Sequence, residues 1–266
     1  MDQRKERNKM KNSRQILIRI LTCIVLSGRG SCEWTNIPKG ERKEYLEATK
    51  KWLSFEKEIY DDFSEYEKRM FEKRIGSIKR KEIAEFVLYW ECTEVLAWCI
   101  GLVDAVEMPY YKENITEIMR VLDEQTGILP LIGNDPEQLT IKFSENHVID
   151  NILSHAKMRD RESIEAERDR AMLWHWRAIE GKEDFFKKVP FKEIIEKTFQ
   201  DPEITKAVDS MPVAPDGRDL LVGKKKKFYG LSGDYMDLAV IYAGWRHKAL
   251  EWVLNDESWE DTTADT

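Results

Sequence analysis

Residues that interrupt helices and residues that carry the commonest catalytic chemistries are both scarce in this chain. Its 266 residues include only 13 Gly, 8 Pro, 4 Cys and 4 His. Good helix formers fill most windows of the sequence instead, and with 42% apolar residues the chain can bury a sizeable core. These proportions predict an all-α, or nearly all-α, protein: an irregular multi-helix globular bundle around a central buried helix.

The motifs of well-known enzyme classes are missing as well. There is no His-Glu-x-x-His, no Gly-x-Ser-x-Gly, no Walker loop, no Gly-x-Gly-x-x-Gly and no paired Glu-x-x-His of the di-iron bundles. We therefore expect no metal and no cofactor, and the sequence favours a protein without enzymatic activity.

The four cysteines, Cys23, Cys32, Cys92 and Cys99, contain no Cys-x-x-Cys pair. On one helix, Cys92 and Cys99 would stand about 10 Å apart, which is too far for a disulfide. All four are therefore expected to be free thiols, as in a reducing compartment. We predict a cytoplasmic protein.

The formal net charge of −7 is unevenly distributed. Residues 1–31 carry eight Lys and Arg against two acidic residues, so the rest of the chain is more acidic than the total. Because phosphate contacts need a basic surface, this acidic body argues against nucleic-acid binding. The basic run Lys224–Lys227 is interpreted as a solvated loop.

The chain is divided into a basic N-terminal segment with a first helix (1–32) and a single helical domain (33–266). The apolar stretch Ile16–Leu26 follows basic residues as in a signal peptide, but Arg19 interrupts it and no small-residue cleavage site follows. It is also shorter than the roughly 20 apolar residues that span a bilayer. We predict an amphipathic or core helix without stable membrane insertion, and weak association with a membrane surface is the alternative.

Apolar residues at helical spacing divide the remaining chain into helices. The segment from Ser77 to Gly101 is apolar on almost every side of its second half and is the predicted central buried helix. Its Glu91 and Glu94 are expected on one narrow exposed strip. The other expected elements are two surface helices between Pro38 and Gly76, a helix at about 115–124, a long helix from Ser144 towards Gly181 broken near Arg159–Glu162, helices at Pro190–Gln200 and Tyr235–Leu254, and a short hairpin between Asp216 and Gly230.

Two of these helices carry a candidate polar site, which consists of Glu167, Asp169, His175, Arg246 and His247. Arg246 falls on an apolar stripe, so it needs a carboxylate partner, and Glu167 or Asp169 is the expected one. His247 and Glu251, four residues apart, can form a second pair. Two interpretations stay open: a buried ion network that fixes helix register, or a cleft where Arg246 receives an anionic group and His175 or His247 moves a proton.

Tryptophans are expected to pack around this site as core residues: Trp90, Trp98, Trp176, Trp245 and Trp252. The stripe of the last helix that is interpreted as core consists of Leu238, Tyr242, Trp245, Ala249 and Trp252. The two interpretations differ in whether the polar side chains converge on an open pocket or are closed over by Trp176 and Trp245.

Five groups of residues carry a family resemblance. In order along the chain they are Trp90–Gly101, Glu167–Asp169 with His175 and Trp176, Gly223 and Lys224 with Tyr229 and Leu231, Arg246–Trp252, and Trp259–Asp261 with Asp265 and Thr266. Their order and spacing resemble the bacterial family catalogued as domain of unknown function 4272. The likeness covers residues 77–266, and Ser13–Gly28 resembles the first helix of the family more weakly.

The resemblance implies a helical bacterial protein and no particular reaction. Glu91 and Leu173 stand where the family usually has arginine, and Glu251 stands where it usually has asparagine. These replacements remove two positive charges from any shared polar site, which argues against an anion-binding role here.

The sequence thus leaves the biochemical role unknown and favours a binding or interaction protein with an unidentified protein partner. An acidic protein that neutralises its partner, of the immunity type, is one example. The alternative is a hydrolase or transferase that acts on a small anionic substrate through Asp169, His175 and Arg246.

Overall fold

The computed structural model of the chain describes residues 9–34, 38–106, 148–181, 183–223 and 226–265, and within them the predicted all-α fold is confirmed. The helices are α1 (Ser13–Trp34), α2 (Lys39–Phe55), α3 (Lys57–Asp62), α4 (Glu65–Phe71), α5 (Arg80–Leu88), α6 (Trp90–Cys99), α7 (Val148–His155), α8 (Arg161–Glu180), α9 (Phe191–Phe199), α10 (Pro202–Ala207) and α11 (Gly233–Leu254). The predicted hairpin consists of two short antiparallel strands, β1 (Leu221–Val222) and β2 (Lys226–Lys227). The helix expected at 115–124 lies outside the described residues, as do Ser144, Lys224 and Lys225.

Helix α1 lies in the middle of the larger of two hydrophobic cores. Ile16, Leu17, Ile20 and Leu21 are completely buried, and α1 packs against α3, α5, α6 and α7. Among the described residues, α1 is the helix that is long and apolar enough to cross a membrane, but 78% of the apolar window is buried within the protein. The basic N-terminal segment therefore contributes a core helix.

Two arginines on α1 are fully buried, and each is paired with a carboxylate. Arg19 donates hydrogen bonds to Glu67 at the start of α4, and its guanidinium lies over the Trp259 ring, 4.2 Å from the centroid. Arg29 donates to Glu33 at 2.7 Å. Because a buried charge is tolerated when it is paired and hydrogen-bonded, Arg19 can interrupt an apolar run and still lie in the core.

The helix expected from Ser77 to Gly101 is divided into α5 and α6, so the prediction of a continuous helix is wrong at Tyr89. Backbone bonds of the i→i+3 type replace the α-helical pattern here, from Tyr89 N to Phe86 O and from Cys92 N to Tyr89 O. At this break the Tyr89 ring packs against the rings of Trp245 and Trp259. As predicted, α6 is buried on nearly all sides, and it shares the middle of the core with α1.

The break expected near Arg159–Glu162 is confirmed. Helix α7 ends at His155 and α8 begins after Asp160. The Asp160 side chain accepts the backbone N–H of Ser163 at 2.8 Å, so it caps one of the otherwise unpaired donors of the new helix. This local cap is the physical reason that the charged stretch starts a helix.

Helices α8 and α11 pack against each other in antiparallel orientation. Two contacts define their register: Arg168 Nη1 donates to Glu251 Oε1 at 2.8 Å, and His175 lies against Gly244. A Cβ atom at position 244 would stand 3.1 Å from His175 Nε2, so glycine allows this close approach. The register therefore places the beginning of α8 beside the end of α11.

A second hydrophobic core lies between the second half of α8, the first half of α11, α9 and the hairpin. Its largest buried members are Leu173, Trp174, Trp176, Phe186, Phe191, Ile195, Leu220, Phe228 and Met236.

The stripe predicted as core on the last helix is only partly correct. Ala249 and Trp252 are buried, but Leu238 is 38% exposed. In its first half, α11 buries Ala239 and Ala243 instead. Alanines let two helices approach closely yet give a weak apolar signal, so the larger neighbouring residues dominated the sequence pattern.

The four cysteines are buried, and none forms a disulfide. Burial raises the pKa of the Cys32 thiol to about 11 and also raises that of Cys92. Because the thiolate is the reactive form, we expect no rapid modification of the folded protein by a thiol reagent and four modified thiols after unfolding without reductant. Two or none in the unfolded protein would contradict the assignment of free thiols.

Candidate functional site

Arg246 lies on the buried side of α11, and its side chain is only 7% exposed. Its Nη2 donates to Glu94 Oε2 at 2.5 Å and lies 3.5 Å from Glu91 Oε2. Both carboxylates belong to α6. The expectation of a buried, carboxylate-paired arginine is confirmed, but the expected partner, Glu167 or Asp169, is wrong.

The prediction that Glu91 and Glu94 lie on an exposed strip is also wrong, because both side chains face Arg246. Glu94 is 5% exposed, and the Glu91 side chain is 15% exposed, so neither lies on an open strip. They can face the interior because Arg246 supplies the charge that an ionised buried carboxylate requires.

The two expected partners of Arg246 pair with arginines of their own helix, α8. Glu167 Oε2 accepts from Arg170 Nη1 at 2.9 Å, and Asp169 Oδ1 accepts from Arg168 Nε at 2.7 Å. These local partners take the place that had been assigned to Arg246. Arg246 still influences Glu167, since its charge is among those that lower the pKa of this carboxyl against the effect of burial.

Arg168 also links α8 to α11 through Glu251. Glu251 Oε1 lies 3.4 Å from His247 Nε2, so the expected local pair is confirmed. Burial by itself raises the pKa of Glu251, but the hydrogen bond with His247 and the charge of Arg168 outweigh it and lower the pKa to about 2. Glu251 is therefore ionised at neutral pH and stabilises the contact between the two helices.

His175 and His247 face each other between α8 and α11, with ring centroids 5.9 Å apart. Within the described part of the chain, the buried Nδ1 atom of each ring has no hydrogen-bond partner. Burial, followed by the neighbouring His247, lowers the pKa of His175 to about 4. An imidazole with this pKa is neutral at pH 7 and is a poor proton acceptor there.

The replacement His175→Gln is expected to flatten the pH dependence of stability between about pH 6.5 and pH 4. Unfolded histidine takes up its proton near pH 6.5, but folded His175 does so only near pH 4. The unfolded state thus binds more protons in this window, and wild-type stability falls as the pH falls through it. Urea unfolding of both proteins across the window measures the two slopes, and equal slopes would contradict the prediction.

Two carboxylates, those of Glu91 and Glu94, lie beside the single guanidinium of Arg246. Burial raises the pKa of Glu91, Glu167 and Asp169, and the nearby charge of Glu94 raises the pKa of Glu91 further. Burial thus makes it costly to add negative charge here. An anionic group that approached Arg246 would meet Glu91 and Glu94 first, in direct competition for the guanidinium.

The five tryptophans expected around the site have different environments. Trp176 and Trp252 are buried, whereas Trp90, Trp98 and Trp245 are half-buried against the larger core. Trp176 packs on Phe186 in the second core, with ring centroids 6.0 Å apart. Trp245 packs on Tyr89, with centroids 5.1 Å apart.

The buried ion pair between Arg177 and Asp219 was not predicted from the sequence. Arg177 is completely buried, and its Nε donates to Asp219 Oδ1 at 2.8 Å. The guanidinium lies over the rings of Phe186 and Phe228, 3.5 and 4.5 Å from their centroids. The second Asp219 oxygen accepts the backbone N–H of Tyr229 at 2.7 Å. Helical periodicity gives no signal for this pair, because Asp219 lies in a loop.

Within the described ranges, no group of three or more His, Cys, Asp or Glu side chains is arranged to hold a metal ion. The candidate residues instead form two adjoining ion clusters. One joins α6 to α11 through Arg246, and the other joins α8 to α11 through Arg168 and Glu251. Their chemistry is that of charge pairing between three helices.

Comparison with known proteins identifies one family. The family model described as Domain of unknown function (DUF4272) matches residues 2–184, which include helices α1 to α8. The matched range contains Trp90–Gly101 and the His175-Trp176 pair, and it ends before the segments of α11. Among curated proteins and solved structures, no significant match was found. Because the match covers more than half of its residues, the chain belongs to the family Domain of unknown function (DUF4272).

Proposed function

We propose that this protein acts in the cytoplasm by binding a protein partner, without a reaction of its own, in the manner of an immunity-type protein that neutralises its partner. The proposal rests on the environment of Arg246, which leaves this cation of the candidate site inaccessible to a substrate. Its guanidinium is buried and already paired with Glu94, with Glu91 nearby.

The same observation weighs against the enzymatic alternative. A site for a small anionic substrate needs a cation that the substrate can reach and that has few competing anions. Arg246 has neither property. His175, the other candidate for proton transfer, has a pKa lowered by burial to about 4, which leaves it a weak base at neutral pH.

The charge of the chain supports a basic partner. The net charge is −7, although residues 1–31 are basic, so the body presents an excess of negative charge. Complementary charge accelerates association and excludes like-charged partners. Four buried free cysteines are in keeping with a reducing compartment such as the cytoplasm.

The test is to purify the tagged full-length protein from its native cells and to rebuild any complex from the two purified components. We expect light scattering to show a complex of fixed stoichiometry. The partner should bind the folded double variant Arg246→Met, Glu94→Gln with the same affinity as wild type. In parallel, phosphate and acetate are added to the protein alone in thermal unfolding. Anion stabilisation that disappears in the double variant, with no stoichiometric partner, would contradict the proposal and support the enzyme.

A further inference from the structure

Large apolar side chains are exposed along one side of α11. Tyr235 is 61% exposed, Leu238 is 38% exposed and Ile241 is 39% exposed. They are spaced by three residues, so they follow one another along neighbouring turns of the helix. Met236 and Ala239, on the same turns of the helix, are buried in the second core.

A fourth exposed apolar residue lies on the neighbouring helix. Contacts of Arg168 with Glu251 and of His175 with Gly244 set the antiparallel register. Continuing this register places Ile179 of α8 level with residue 240 of α11, one residue from Ile241. Ile179 is 52% exposed. We call Ile179, Tyr235, Leu238 and Ile241 the α8–α11 apolar face.

The charged residues on the first three turns of α11, beside this face, are both acidic. Asp234 and Asp237 are exposed on the same turns of α11, and no ion pair joins either of them to another residue in the described part of the chain. An exposed apolar patch with a polar rim is characteristic of a protein–protein contact. The acidic rim adds information about which partner can approach it.

We propose that the α8–α11 apolar face docks a protein segment whose apolar side chains are flanked by lysine or arginine. This inference rests on the proposed function and specifies the surface and the chemistry of the partner. A second copy of this chain fits poorly, because its own Asp234 and Asp237 would face like charges. An anionic membrane surface is disfavoured for the same reason.

The test uses a defined probe: a fluorescent amphipathic peptide helix made of leucine and lysine, compared with a leucine–glutamate helix of the same pattern. The anisotropy of each peptide is measured with wild type and with two double variants. One double variant carries Leu238→Ser and Ile241→Ser, and the other carries Asp234→Asn and Asp237→Asn. The matched control is Phe55→Ser, since Phe55 is also exposed, at 50%, but lies at the end of α2.

We expect the leucine–lysine helix to bind wild type and the Phe55→Ser variant equally. It should bind the double variant Leu238→Ser, Ile241→Ser at least about tenfold more weakly, because the replaced residues are the apolar anchors. The asparagine variant should lose most of the salt dependence of binding. Equal binding of both peptides, or unchanged binding by the double variant, would overturn the proposed surface. So would self-association of wild type in sedimentation, or equal binding to anionic vesicles.

The native partner separates this inference from the proposed function. A partner that binds wild type and the double variant Leu238→Ser, Ile241→Ser equally would overturn the docking surface and leave the function in place. Absence of any stoichiometric partner would contradict the proposed function itself.

Discussion

Alanine in place of Arg246 is expected to lower the free energy of unfolding by about 3–5 kcal/mol, because removing one partner strands buried carboxylates without a cation. The stranded groups are Glu94 and Glu91 on α6. Chemical denaturation of the purified variant measures the loss. The matched control is Lys197→Ala, which removes an exposed pair with Glu193 and should cost roughly 0.3–0.5 kcal/mol.

A double-mutant cycle shows whether the Arg246 network is structural. The single variants Arg246→Met and Glu94→Gln are compared with the double variant. The double variant removes the charges of the closest pair and keeps similar volumes, so it should recover much of the stability lost in the alanine variant. A change below about 0.5 kcal/mol for Arg246→Ala alone is typical of an uninvolved surface position, and it would contradict the buried pair.

Asp219→Ala is also expected to lower the free energy of unfolding by about 3–5 kcal/mol, through a buried pair in the second core. It leaves Arg177 completely buried without its carboxylate and also removes the acceptor for the N–H of Tyr229. Thermal or urea unfolding measures the change, and amide exchange should rise most in the hairpin.

The control for Asp219 lies in the same loop. Asp216 is paired with Lys227 at the surface, with both side chains more than a third exposed, so Asp216→Ala should cost less than about 1 kcal/mol. Similar losses of unfolding free energy in Asp219→Ala and Asp216→Ala would contradict the expectation that the buried Arg177 pair contributes more to stability than the surface pair.

The parts of the fold that were predicted correctly are those with a local cause. The break before α8 follows from Asp160, whose side chain caps a donor three residues away. The hairpin between Asp216 and Gly230 likewise depends on turn residues that are close to it in the sequence. Periodicity and turn residues carry this information within one window of the sequence.

The parts that were predicted wrongly depend on distant contacts. Arg246 was assigned to acids of α8, but its partner Glu94 lies 152 residues away along the chain, and Arg168 and Arg170 had already satisfied the acids of α8. An arginine on an apolar stripe indicates that a carboxylate is needed without indicating which one.

The contact between Arg19 and Trp259 has a consequence for synthesis of the protein on the ribosome. The ring that covers the buried guanidinium of Arg19 is made 240 residues after Arg19 itself. At translation rates of roughly 5–20 residues per second, that interval is on the order of 10–50 s. For that time α1, which is apolar enough to cross a membrane by length and composition, lacks part of its cover. We therefore expect the nascent chain to be exposed to aggregation and to the membrane-insertion machinery during this interval.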